Sequence, residues 1–84
     1  MPTELLIGKV FHYDDEKGVA YLELSGELLD GQVLRFKDPD GDFYVTVRDM
    51  HITGQIINYA ELDDFVAIPV DHKLHEQDEV FVQY

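Results

Sequence analysis

The chain has 84 residues, 45% of them hydrophobic, with eighteen acidic against six basic side chains and a formal net charge of −12. That length fits one domain that buries roughly 60 to 65% of its unfolded surface; its apolar residues are too many for a disordered segment and too scattered for a membrane span of about 20 residues. No cysteine is present, which excludes disulfide staples, thiol redox chemistry and cysteine nucleophiles.

The opening residues, Met1 to Lys9, show no basic lead, no long apolar stretch and no small-residue cleavage site, so a cytoplasmic location is expected. The acidity repels nucleic acid at long range. Lys9, Lys17, Arg35, Lys37, Arg48 and Lys73 make a basic face only if folding gathers them. A solvated acidic layer accounts for the charge; a basic protein partner, a saline habitat and mimicry of nucleic acid are the other readings that composition leaves open.

In chain order, Leu5 to His12 reads as a first strand, with Gly8 where a close neighbour excludes a side chain. Tyr13 to Gly18 forms a charged hairpin loop ending in a glycine suited to positive φ. Val19 to Leu24 follows as the second strand, with Ala20, Leu22 and Leu24 on one face. Ser25 to Gly31 makes a corner around the apolar step Leu28-Leu29, and Gln32 to Lys37 is the third strand, with Leu34 and Phe36 inward.

Asp38-Pro39-Asp40-Gly41-Asp42 is the clearest turn, because Pro39 pre-sets its own φ and Asp-Gly favours tight turns. The fourth strand alternates Phe43, Val45 and Val47 with Tyr44, Thr46 and Arg48; Met50 and Ile52 then change parity, which predicts a bulge near Arg48 and Asp49. Ile56 to Tyr59 reads as irregular. Phe65 to Val70 is a fifth strand, with Pro69 placing its outer side at an edge or bulge, and Glu79 to Tyr84 is the sixth. Six short strands joined by glycine- and Asp-rich turns, with no helical period, predict an all-β, six-stranded antiparallel Greek-key-like barrel filling residues 1–84 as a single domain.

The pattern Ile7-Gly8-Lys9-Val10, Gly18-Val19-Ala20, Leu28-x-x-Gly31-x-Val33, Val47-x-x-Met50-x-Ile52, Ala60-x-x-Asp63-Asp64-x-Val66-Ala67-Ile68 and Asp78-Glu79-Val80 resembles the second-domain β-barrel of elongation-factor-type translation GTPases. The same barrel is also similar to one appended to collagenase-like peptidases. Asp63-Asp64 and Gln77-Asp78 stand where that family usually has a glycine before the acid. The resemblance implies the barrel and, in translation factors, contact with ribosomal RNA and the aminoacyl end of tRNA. It does not imply GTP hydrolysis, because the chain has no Gly-x-x-x-x-Gly-Lys-Ser/Thr loop.

Asp38, Asp40 and Asp42 have the one-three-five spacing of a calcium loop, with Asp49 twelfth, but glycine stands fourth instead of sixth and a strand follows; a plain acidic turn is expected. His72 and His75, three apart, read as loop histidines capable at most of a pH-sensitive contact. Ser25 has no histidine placed beside it, so no hydrolytic triad is indicated and no catalytic residue, metal or cofactor is assigned. The candidate binding residues are Lys9, Tyr21, Arg35, Tyr44 and Arg48, cations interleaved with rings. The expected function is a non-catalytic binding or accessory module acting through protein contacts on an acidic surface. The alternative is a translation-associated factor that contacts tRNA or ribosomal RNA through a local Lys/Arg and aromatic patch.

Overall fold

Period-two burial governs the architecture. A computed structural model describes residues 4–83, and its strands are β1 (Glu4–Asp14), β2 (Val19–Leu24), β3 (Leu28–Leu29), β4 (Val33–Lys37), β5 (Phe43–Thr46), β6 (His51–Ile52), β7 (Gln55–Ile56), β8 (Tyr59–Ala60), β9 (Phe65–Pro69) and β10 (Glu79–Gln83). In β2, β4, β9 and β10 every second side chain is buried: Ala20, Leu22 and Leu24, then Leu34 and Phe36, then Val66 and Ile68, then Val80 and Val82. Each strand thus turns one apolar face to a shared core and one mixed face to water. Among the described residues no helix is long and apolar enough to cross a membrane.

The main sheet is antiparallel, with eight strands in the order β5-β4-β10-β1-β2-β9-β6-β7. β5 lies at one edge and β6 beside the other, so residues 47–50 carry the chain from edge to edge. That connection requires the sheet to curl around its apolar face into a half-barrel, with Val47 and Met50 buried inside. β3 and β8 form a separate two-stranded sheet through Leu28↔Ala60 and Leu29↔Tyr59, with Leu28 and Ala60 buried in the core.

Six strands were expected, and the structure has eight in the main sheet and two beside it. The expected six correspond to β1, β2, β4, β5, β9 and β10. The others, β3, β6, β7 and β8, are two residues long, too short to display a period. Leu28-Leu29, read as part of a corner, is β3. Ile56 to Tyr59, read as irregular, is shared by β7 and β8, with Ile57 donating to Met50 at 2.8 Å between them. The bulge expected near Arg48 and Asp49 is a strand break: β5 ends at Thr46, Asp49 adopts φ 53°, and β6 resumes at the far edge. The bulges lie in β1, at the register shifts between Leu6 and Gly8 and between Val10 and His12. Of the sixth expected strand, Tyr84 lies outside the described residues.

Candidate interaction surface

On the outer face of β1, β2 and β9 the sheet leaves large apolar side chains uncovered. Phe11 alternates outward after buried Val10, and its ring meets Phe65 of β9 edge-on, centroids 5.3 Å apart at 81°, while the bulge between Val10 and His12 turns His12 outward as well, opposite Tyr21. Both rings stay about half exposed, at 55% and 50%. With Tyr21, His12 and Asp14 they line a hollow of about 560 Å³, in which the His12 and Tyr21 rings stack at 5.9 Å. A second hollow of about 540 Å³ lies further along β2, between Leu6, Lys9, Glu23, Leu62, Asp63 and Glu79, with Leu62 59% exposed. Phe65 pairs with Glu23 in register, and so does Lys9, so the two hollows adjoin on one face.

This face is apolar in its hollows and acidic around them: Asp14, Glu23, Asp63 and Glu79 stand against Lys9 alone. Lys9 is itself held by Glu23 at 3.9 Å. Exposed apolar side chains gathered on one face are a feature that contact surfaces share.

The five residues singled out in the sequence fall in three places. Lys9 and Tyr21 are on the face just described. Arg35 is withdrawn from binding: its guanidinium forks onto Glu4, Nε to Oε2 at 2.9 Å and Nη2 to Oε1 at 2.8 Å, donates from Nη1 to Asp42, and lies 4.6 Å over the Phe81 ring. These partners raise the Arg35 pKa further, and Arg35 and Gln83 together hold Glu4 below its ordinary value. Tyr44, opposite Arg35 in register, projects into solvent from β5, and it lines with Arg48 a groove facing Pro69 and His72. Lys9, Arg35 and Arg48 therefore do not form one basic patch.

The Asp38 to Asp42 segment is a hydrogen-bonded turn, Gly41 N donating to Asp38 O at 3.0 Å and Asp40 N to Asp38 Oδ1 at 2.9 Å. Its carboxylates diverge, since Asp42 turns to Arg35 while the Asp38 side chain is fully buried. There Asp38 meets the loop before β10: its Oδ2 lies 2.9 Å from His75 Nδ1 and its carboxyl hydrogen-bonds that of Asp78, which also accepts His75 N–H at 3.1 Å. Burial, reinforced by Asp38, pushes Asp78 up to about 6, and the hydrogen bond from Asp78 holds Asp38 well below the usual carboxylate range. His75 is raised by Asp38. Asp38, Asp40 and His75 bring ligand-type atoms within 4.8 Å of one another, but Asp38 spends its oxygens on internal hydrogen bonds that tie turn to loop. His72 is occupied elsewhere, its ring 4.2 Å from that of Phe43.

Sequence reasoning missed Phe65, Leu62 and the Asp38–His75–Asp78 contact. The spacing of Phe65 on the outward parity of β9 was a usable signal. The contact was not legible, because Asp38 lies 37 residues or more along the chain from His75 and Asp78.

Fold and surface together define a class: a small curled antiparallel β-domain with an apolar, acid-rimmed outer face. No family model matches the sequence, and no curated protein does. Among solved structures, the chain is similar to the C-terminal domain of a Geobacillus thermoleovorans protein described as a U32 peptidase, with a TM-score of 0.87, 20% identity, and coverage of 94% of this chain and 92% of that one. The selenomethionine variant of the same domain superposes with a TM-score of 0.85 at 20% identity, covering 90% and 96%. The likeness establishes the fold and agrees with the appended-barrel resemblance.

Proposed function

We propose that the chain is a non-catalytic binding module, a barrel of the translation-factor second-domain type that works in the cytoplasm through contacts with a basic protein. The observation that carries this reading is the Phe11–Phe65 pair, held half exposed between two hollows and rimmed by Asp14, Glu23, Asp63 and Glu79. Apolar anchors enter the hollows and surrounding Lys or Arg side chains meet the acidic rim, so the partner is a segment carrying aromatic or aliphatic residues among basic ones. The glycine and apolar spacing supports the translation-factor type. The neighbouring C-terminal domain supports the idea of a barrel that serves another polypeptide. The RNA-contacting alternative needs free cations gathered on one face, whereas Arg35 is bound to Glu4 and Asp42 and Lys9 stands among the carboxylates Glu23, Asp63 and Glu79.

Selection of short random peptides displayed on phage against the immobilised protein tests the reading. Enriched peptides are expected to combine Lys or Arg with apolar residues and to bind a Phe11→Ser/Phe65→Ser variant at least about tenfold more weakly. Peptides indifferent to that variant, or tighter binding of a single-stranded RNA oligonucleotide than of any peptide, would overturn it.

A further inference from the structure

The main sheet ends at β5, which among the described residues pairs only with β4. Val47 directs both backbone groups toward the β4 side, its N–H donating to Gln32 O at 2.8 Å and its C=O accepting from Gly31 N at 2.9 Å. Direction alternates along a strand, so Val45 and Phe43 also face β4, and Tyr44 and Thr46 turn their N–H and C=O groups outward. None of these groups has a backbone partner among the described residues. β9 does not close the gap: a groove of about 460 Å³ separates β5 from Pro69 and Val70. Val70 N–H points at Gly18 of the preceding turn, so by the same alternation the missing N–H of Pro69 is the one on the groove side.

The free edge is self-complementary. When Asp42-Phe43-Tyr44-Val45-Thr46-Val47-Arg48 is laid antiparallel on a second copy about a two-fold axis at Val45, Tyr44 falls opposite Thr46, Phe43 opposite Val47, and Asp42 opposite Arg48. In this register the outward-facing residues are those that must exchange hydrogen bonds, and both ends carry opposite charges. A shift by one residue loses both features. Arg48 has no ion pair among the described residues, and Asp42 already holds Arg35, so the second copy's Arg48 completes an alternating array with Asp42 at its centre.

We propose that β5 is a self-association edge, through which two copies pair antiparallel in the Val45-centred register to join their sheets. The occupant is a second copy because the strand's own charges complement themselves. The pairing strand is short and its area falls below the roughly 800 Å² per partner of a stable complex, so the dimer is reversible and seen at high protein concentration. Each copy carries −12, so salt favours association by screening the long-range repulsion.

The test is sedimentation velocity across a concentration series at low and high salt, with amide hydrogen exchange at Tyr44 and Thr46 followed over the same series. The expected result is a monomer–dimer equilibrium strengthened by salt, with both amides protected as concentration rises. Arg48→Glu, which sets like charges opposite each other at both ends, weakens association about tenfold or more. Thr46→Pro, which removes an outward N–H that β4 does not use, abolishes it. Both variants are checked for an unchanged monomer by circular dichroism. A monomer at every concentration and salt, a dimer indifferent to Arg48→Glu, or protection of these amides only on adding an unrelated extended peptide would each overturn the proposal.

Discussion

Gly8 is fixed by a backbone collision. A Cβ built there would sit 2.5 Å from the carbonyl oxygen of Glu23 on β2, and because the obstacle is backbone the strands themselves must separate. Gly8→Ala is therefore expected to destabilise the fold by about 1–3 kcal/mol, the usual scale of overpacking, read as a lower denaturant midpoint with an unchanged slope. A neutral result would mean that β1 moves off β2 at little cost. Arg35 is the second residue on which several strands depend, joining Glu4 of β1, Phe81 of β10 and Asp42 of the β4–β5 turn through one planar group. Lysine cannot reproduce that fork or its flat stacking on a ring. Arg35→Lys is expected to lower Tm by about 4–8 °C, most of the loss shown by Arg35→Ala; a lysine variant as stable as wild type would show that only the charge matters.

Between elements, the β4–β5 turn and the loop before β10 are tied by Asp38, His75 and Asp78, with Asp40 at the rim. Three groups set how that tie depends on pH. Asp38 is held low, so its contribution is present above its ordinary value of 3.8 and is lost as pH falls below it. Asp78 is raised, so its contribution is present below 3.8 and is lost as pH climbs through about 6. His75 is raised, so its contribution is present below 6.5 and disappears as pH rises through its folded value. The tie is therefore strongest near pH 4 and weakens toward alkaline pH in two steps. Asp78→Asn keeps an acceptor for His75 N–H and a donor for Asp38 at every pH, so Tm measured across pH should lose its decline between pH 4 and 6 and keep the decline above 6.5. An unchanged profile would place the titration elsewhere. The same tie shows what the sequence conceals. Strands such as β2 and β9 were legible because Ala20, Leu22, Leu24 and Val66, Ile68 repeat along one segment. The acidic turn was legible as a turn from Pro39 and Gly41. That Asp38 points inward to His75 while Asp42 points out to Arg35 is decided by how β4 and β10 register, which no local spacing encodes. The candidate face was half legible: Lys9 and Tyr21 were named and alternation from Val10 turns Phe11 outward, but that Phe65 of β9 meets Phe11 is decided by how β1, β2 and β9 register, and His12 reaches the face through a bulge that alternation does not reveal.

Over the whole molecule, the charge of −12 sits on a domain whose radius of gyration is 11.5 Å, comparable with the screening length of about 10 Å at 0.1 M salt. Most acidic side chains therefore repel one another across the molecule at low ionic strength, and compaction works against that repulsion. The ion pairs pull the other way. Lys9–Glu23 is exposed and weak, and the Arg35 cluster is shielded from salt, with the arginine side chain only 17% exposed. Repulsion thus outweighs attraction in its salt response. Raising sodium chloride from about 10 mM to about 1 M, where the screening length falls to about 3 Å, should raise Tm by about 4–8 °C, or on the order of 1 kcal/mol. Choline chloride at equal ionic strength should do the same if screening is the cause. A fall in Tm would mean that the pairs around Glu4 and Asp42 carry more of the stability than their number indicates. A rise with millimolar divalent cation but not with choline would instead mark the Asp38, Asp40 and His75 cluster as a specific site.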